Sequence, residues 1–301
     1  MSGAIRFAAP RPDWSAALEL LKPITWFAPM WAFGCGVISA GVTLGGHWAL
    51  ALAGVALAGP LVCATSQAAN DWYDRHVDAI NEPGRPIPSG RLPGRTGLWI
   101  AIFWTALSVL VAATLGRWAF GAALLGLALA WAYSAPPLRL KRNGWWGNLA
   151  CGACYEGLPW FTGAAVMTGA APDPRIILAA LLYSAGAHGI MTLNDFKSVA
   201  GDQQMGIRSL PVILGVEKAA RFACTIMALP QVVVIGLLLT WGAPVYAGAV
   251  AAVLVAQLAL MPRLLRDPRG QAIRYNATGT TLYVVGMMVT AFALRAMVAA
   301  T

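Results

Sequence analysis

An all-α, polytopic membrane protein is expected from this sequence, on three grounds. The 301 residues are 58% hydrophobic and only 11% charged, whereas soluble domains carry roughly 25% charged residues. Mean hydropathy is +0.65. The few charges are segregated: no Asp, Glu, Lys or Arg occurs between Lys22 and Asp71, Arg95 and Arg117, Arg117 and Arg139, or Arg221 and Arg263. Uncharged apolar runs of ~18 or more residues read as bilayer-crossing helices. A soluble enzyme, a disordered chain, a single-span receptor and a secreted disulfide scaffold are excluded on the same grounds.

Along the chain, residues 1–22 read as a short tail holding Arg6, Arg11, Asp13, Glu19 and Lys22, without the apolar core of a cleaved signal peptide. A crossing needs ~20 apolar residues. Residues 23–70 therefore fit two helices turning at Gly45-Gly46-His47-Trp48, and 97–135 fit two more turning near Gly116-Arg117. Residues 147–169 and 174–194 form a fifth and sixth, separated by Ala171-Pro172-Asp173-Pro174. Residues 222–261 form a seventh and eighth around Trp241-Gly242-Ala243-Pro244, and 278–299 a ninth. The whole chain, 1–301, reads as one domain of nine helices. The five Cys lie in apolar stretches, where a free thiol behaves as a small hydrophobe, so no disulfide framework is expected.

Nine crossings put the termini on opposite sides, and Lys/Arg excess marks the cytoplasmic side. With the N-terminus inside, segments 1–22, 71–96, 136–146, 195–221 and 262–277 hold 18 of the 21 Lys and Arg. Outside lie only Arg117, Arg175 and Arg295. The net charge of +9 thus follows topology and does not imply a nucleic-acid partner. Asp71, Asp74, Asp78, Glu82, Asp195, Asp202 and Glu217 share the inner side, so a polar site is expected on the cytoplasmic face. A transporter with internal repeats would instead place polar groups near mid-bilayer.

The second and sixth spans end alike. Asn70-Asp71 is followed by Asp78, and Asn194-Asp195 by Asp202, with Arg85 and Arg208 further on. The motifs are four spans apart and emerge on one side, which suggests two four-helix pseudo-repeats plus a ninth helix around a cavity open to the cytoplasm.

Asp71, Asp74 and Asp78 recur at i, i+3 and i+7, one face of a helix. Unpaired carboxylates there repel, and Arg75, at i+4 from Asp71, offsets only one. Divalent cations resolve the conflict: carboxylate oxygens suit Mg²⁺, which shares its sphere with water and substrate phosphates. The substrate is then a diphosphate, for which Arg85, Lys141, Lys197 and Arg208 are the candidate cradle, with Arg139 and Arg142 behind. A diphosphate head at a membrane surface and a tail in lipid describe a polyprenyl diphosphate, whose leaving group Mg²⁺ and cations stabilise as the allylic C–O bond breaks.

At these residues the sequence resembles the UbiA-type intramembrane prenyltransferases. Their N-D-x-x-D-x-x-x-D motif is matched by Asn70, Asp71, Asp74 and Asp78, and their Y-S-x-x-P-x-R-x-K segment by Tyr133, Ser134, Pro137, Arg139 and Lys141, with one residue of slack. NDWYDRHVDAINEPGRPIPSG (70–90), YEGLPW (155–160) and NDFKSVAGDQQMGIRSLPVILG (194–215) resemble the chlorophyll/bacteriochlorophyll synthase branch more narrowly. The resemblance implies a prenyltransferase in which Asp71, Asp74, Asp78, Asp195 and Asp202 ligate Mg²⁺, with Asn70 and Asn194 among the catalytic residues. It implies transfer of a geranylgeranyl or phytyl group from its diphosphate to the propionate of (bacterio)chlorophyllide. The site is implied to lie in a cytoplasmic or intracytoplasmic photosynthetic membrane, with membrane lipid around the chain and other pigment-biosynthesis or photosystem-assembly proteins as candidate partners. One departure stands out: the branch usually has Glu where this chain has Ala200. A quinone-precursor or haem polyprenyltransferase shares the aspartates but lacks the long branch-specific strings.

A propionate is anionic near pH 7, so it attacks an allylic cation without a general base. His188, two turns before Asp195, is a candidate ligand for a tetrapyrrole's metal or else a satisfied core group. Tyr155 and Glu156, inside the fifth span where charge is costly, are candidates for orienting the acceptor or contacting the metal–diphosphate cluster. The Cys151-x-x-Cys154 pair lacks a second pair and is not expected to bind metal.

Overall fold

The computed structural model describes residues 13–299. Of the expected tail, residues 1–12, with Arg6 and Arg11, lie outside the described residues. Among the described residues every regular element is helical, and the one extended pairing is a bridge between Asn143 and Arg208. A short α1 (Trp14–Leu21), capped by Asp13 accepting the Ser15 N–H at 2.9 Å, leads into α2 (Phe27–Ser39). Then follow α3 (Trp48–Asn81), α4 (Thr96–Ala113), α5 (Arg117–Ser134), α6 (144–168) and α7 (Pro174–Asp195). Short helices α8 (Val199–Gln204) and α9 (Leu210–Leu214) precede the long α10 (Val216–Thr240), α11 (Pro244–Arg266) and α12 (Pro268–Ala299). Six of these, α3, α4, α7, α10, α11 and α12, are long and apolar enough to cross a membrane; α2 is a shorter apolar helix.

The expected turns fall where they were placed. Gly116 and Gly242 adopt φ of 90° and 79°, a backbone region that glycine enters without steric cost. Boundaries differ where charge was taken as the end of a helix. α3 runs on through the whole aspartate motif to Asn81, and α12 starts ten residues before the expected 278, so 262–277 is helical apart from a break at Asp267. A charge marks where a helix leaves hydrocarbon, not where its backbone hydrogen bonds stop.

Lipid supplies no hydrophobic drive between helices, so close packing and polar links hold the bundle. α2 lies against the second half of α6 through Gly36 and Gly163: a Cβ on Gly36 would strike the Trp160 carbonyl, and one on Gly163 the Phe33 carbonyl. Nothing but backbone lines either contact, so neither can yield. Gly163→Val should cost more than the ~1–3 kcal/mol of an ordinary overpacked core, read as a lowered thermal midpoint in detergent; an unchanged midpoint would refute the packing account. Buried polar pairs add cross-links: Tyr183 Oη–Thr290 Oγ1 at 2.9 Å joins α7 to α12, and Gln231 Nε2 donates to Gln257 Oε1 at 2.7 Å between α10 and α11.

Two stretches depart from α geometry, Leu57–Cys63 within α3, which contains Pro60, and Ala153–Gly157 within α6. Both are π-helical. Pro60 has no N–H to donate to the regular ladder, and a π segment resets the angular phase of everything after it. The aspartate face of α3 is aimed by the helix that follows this reset.

Candidate active site

The C-terminal ends of α3, α5 and α7 meet the N-terminus of α6 at one end of the bundle, around a cavity of about 400 Å³. Asn143 caps α6 by accepting the Trp145 N–H at 2.9 Å, and the Gly144 N–H donates to the Arg208 carbonyl at 2.8 Å. This stitches the turn after α5 to the loop after α8. The cavity wall carries Asn70, Asp74 and Asp78 from α3 and Tyr133 from α5. Arg139, Lys141 and Arg142 come from the following turn, Asn148 from α6, Asp195 from α7, and Ser198 and Asp202 from the next segment. The two aspartate motifs, far apart in sequence, thus line a single space.

The motifs are built differently. Asp71, Asp74 and Asp78 share one unbroken helix, whereas α7 stops at Asp195 and Asp202 sits on the separate α8. Lys141 Nζ lies 2.6 Å from Asp74 Oδ1, and Asn70 Nδ2 donates to Asp74 Oδ2 at 3.2 Å and to Ser134 Oγ at 3.2 Å. Asn148 lies beside Asp195, and Ser198 Oγ donates to Asp202 Oδ2 at 3.0 Å. Burial pulls the Lys141 ammonium below its ordinary pKa, with Asp74 opposing.

Asp71 lies behind this wall. It is 2% exposed, and its Oδ1 takes Lys22 Nζ at 2.6 Å and Arg85 Nη1 at 3.3 Å. Arg85 also reaches Asp78 Oδ2 at 2.9 Å and pairs with Glu82. Burial works against the Arg85 charge, but Glu82, Asp71 and Asp78 outweigh it and hold the guanidinium above its ordinary pKa. The offset expected from Arg75 is not made: Arg75 stacks on Trp72 at 4.1 Å and donates to the Trp72 carbonyl at 2.7 Å. Lys22 takes that part. The sequence offered one signal for it, since Lys22 is the last charge before 48 uncharged residues. Asn148, a polar residue in an apolar helix, was likewise legible in kind but not in place.

The other expected residues stand apart from the cavity wall. The Lys197 and Arg208 side chains are exposed. Asn194 Oδ1 accepts from Asn276 Nδ2 at 2.9 Å. Tyr155 Oη accepts from Gln67 Nε2 at 3.1 Å, and its ring lines a narrow apolar crevice with Cys63, Gly126 and Cys154. Glu156, 3% exposed, lies in the π segment with Oε2 unpartnered. His188 faces a different groove, among Trp145, Phe222 and Ile226. Ala200 is exposed and is not itself on the cavity wall.

Whether a divalent cation fits is decided by the donor set. Among the described residues no three His, Cys, Asp or Glu form a closed metal centre. Asp74, Asp78, Asp195 and Asp202 instead line one cavity, and Asp195 Oδ2 is without a hydrogen-bond partner. Unpaired hard oxygens that leave part of a coordination sphere to other ligands suit Mg²⁺, which keeps water and substrate oxygens.

Fold and site together define a helical integral membrane protein with an acid- and base-lined cavity at one end of its bundle. The chain belongs to the UbiA prenyltransferase family, whose model matches residues 23–296. It is 61% identical over 284 residues to the bacteriochlorophyll synthase 33 kDa chain of Cereibacter sphaeroides, covering 94% of each chain. It is 39% identical over 296 residues to the chloroplastic chlorophyll synthase of Arabidopsis thaliana, covering 93% of this chain and 74% of that one. Its fold is similar to that of a UbiA homolog from Archaeoglobus fulgidus bound to DMAPP and Mg²⁺, with a TM-score of 0.68, 23% identity, and coverage of 89% and 99%.

Proposed function

We propose that the protein is a bacteriochlorophyll synthase, transferring a geranylgeranyl or phytyl group from its diphosphate to the propionate of (bacterio)chlorophyllide. The observation that carries this reading is the union of Asp74, Asp78, Asp195 and Asp202 with Arg139 and Lys141 around one cavity. The similarity to the Cereibacter sphaeroides chain over nearly full length supports the choice of acceptor. The bundle crosses the membrane nine times, with its N-terminus and cavity cytoplasmic, by the Lys/Arg asymmetry.

In this reading Asp74, Asp78, Asp195 and Asp202 would hold Mg²⁺, with Asp71 buttressed behind them by Lys22 and Arg85. When bound, the metal supplies Lewis acidity that neutralises the charge of the departing diphosphate. Lys141 and Arg139 add fixed positive charge at the same leaving group, in a site where burial strengthens it. The allylic C–O bond breaks with its electrons going to the diphosphate. The ring face of Tyr133, on the cavity wall, can stabilise the cation left behind. A propionate oxygen then forms the ester bond to the allylic carbon. The acceptor enters already ionised, so no proton leaves it and no base is needed.

Membranes containing the protein, supplied with Mg²⁺, geranylgeranyl diphosphate and a panel of acceptors, should esterify chlorophyllides, as read by chromatography. Quinone precursors and haem should gain no tail. Prenylation of an aromatic ring carbon, with chlorophyllides untouched, would overturn the proposal.

A further inference from the structure

Both aspartate motifs open on Asn-Asp, but the two asparagines make different bonds. Asn70 Nδ2 donates to Asp74 Oδ2, one turn on along the same helix, and to Ser134 Oγ. The same step from Asn194 leads to Ser198, beyond the end of α7 at Asp195. Asn194 Oδ1 accepts instead from Asn276 Nδ2 on α12, at 2.9 Å. Thr280, one turn further along α12, donates from Oγ1 to Asn276 Oδ1 at 2.9 Å. That bond occupies the oxygen of the Asn276 amide and leaves its nitrogen to donate to Asn194.

A helix end is where such a tie counts most. The last turn has no following N–H groups to hold its carbonyls, and helix ends fray. Asp71, Asp74 and Asp78 stand within α3, which runs on to Asn81. Asp195 is the last residue of α7, so its aim depends on how that last turn is held. Ser198 satisfies the Asp195 carbonyl with its N–H and its Oγ, both at 3.1 Å. Phe196, 2% exposed, anchors the next residue by burial, but burial has no preferred direction. A hydrogen bond has one, so the Asn194–Asn276 contact sets the rotation of the turn that carries Asp195.

The support for this tie is α12 itself. Tyr183 of α7 meets Tyr283 and Thr290 of α12, and Asn194 meets Asn276, so the two helices run antiparallel. Tyr283 Oη donates to the Tyr183 carbonyl at 2.6 Å, and a Cβ on Gly186 would strike the same hydroxyl. Asn276 falls in the stretch 262–277 that its charges mark as a loop. The early start of α12, at Pro268, is what carries Asn276 to the level of Asn194.

We propose that Asn276 is a positioning residue for the reaction: through Asn194 it fixes the last turn of α7 and so places Asp195 on the cavity lining, with Thr280 orienting its amide. This rests on Asp195 being a metal ligand of the reaction site, as proposed above. The test titrates purified protein with Mn²⁺ alone, reading free metal by EPR, with the thermal midpoint and steady-state transfer measured alongside. Asn276→Leu should raise Kd for Mn²⁺ about three- to tenfold, the range of one neutral hydrogen bond, and lower kcat while KM for the acceptor stays within about twofold. Asn194→Leu should match it, and the double variant should lose no more than either single one. Thr280→Val, which keeps both asparagines, should show a smaller loss in the same direction. Gln257→Leu breaks an amide–amide bond between α10 and α11; it should lower the thermal midpoint and leave Kd for Mn²⁺ within about twofold. Wild-type Mn²⁺ affinity in Asn276→Leu and Asn194→Leu overturns the proposal, as do additive losses in the double variant. An equal loss of affinity in Gln257→Leu also overturns it, by showing a general loosening of the bundle. Should Asn276→Leu not fold, Thr280→Val decides, and an unchanged Kd there overturns the proposal. A wild type that binds Mn²⁺ but esterifies no tetrapyrrole overturns the proposed acceptor and leaves the positioning role standing. A wild type that binds no Mn²⁺ overturns the metal reading and the positioning role together.

Discussion

Replacing Asp195 with Asn should lower turnover ~10²–10³-fold, the scale of losing one preorganised electrostatic group at a site of charge development. Asp195 ends α7 with Oδ2 buried and unpartnered, and shares the cavity lining with Asp74 and Asp78. Asn has the same shape and keeps the contact with Asn148, so the fold is not at stake. What is lost is a negative oxygen that a divalent cation needs. The Mg²⁺ concentration for half-maximal activity should rise with the loss of rate, and the thermal midpoint should stay near that of the wild type. Asp71→Asn should cost a comparable factor by another route, because it strips Lys22 and Arg85 of their shared acceptor. Near-normal turnover and Mg²⁺ dependence in both variants would remove the metal assignment.

Lys141→Met is expected to raise KM for the prenyl diphosphate about 10–100-fold, as losing a charge-assisted hydrogen bond of ~1.5–3 kcal/mol requires. Lys141 is largely buried and sits 2.6 Å from Asp74, so the variant also leaves Asp74 with Asn70 as its remaining neutral donor. KM for the acceptor should move little, which separates loss of the diphosphate cradle from general damage. Lys141→Arg should restore part of the affinity, since the charge persists while the geometry changes. Burial lowers the pKa of Lys141. Its ammonium is therefore lost, and with it diphosphate binding, as pH rises through a value below that of an ordinary lysine. The alkaline limb of the wild-type profile should shift in the Arg variant, whose guanidinium does not titrate there. An equal rise in both substrates' KM would show that Lys141 supports the fold and not the diphosphate.

How far the sequence could be read is clearest at particular residues. The i, i+3, i+7 spacing of Asp71, Asp74 and Asp78 was a sound guide to one helical face, and the shared side of the second motif was a sound guide to one cavity. The same pattern did not reveal that Asp71 turns to Lys22 and Arg85 behind the wall. Arg75 had the right spacing to pair with Asp71 yet stacks on Trp72. Spacing lists the neighbours a side chain could have along its own helix, and a partner from another helix can displace them. His188 shares a face with Asp195, but its level on α7 puts it in the aromatic groove, a distinction that depends on where α10 packs.

The amino-acid order alone determined the membrane character, the division into apolar runs, and the end of the bundle that holds the charges. Those follow from the cost of placing charge in hydrocarbon, which each segment meets by itself. Tertiary structure decided which carboxylates line the cavity, which cations they meet, and that His188 lies in a groove apart from it. Those depend on helix rotation and close approach, set by the π segments of α3 and α6 and by contacts such as Gly36 on Gly163, where atoms distant along the chain must occupy adjacent space.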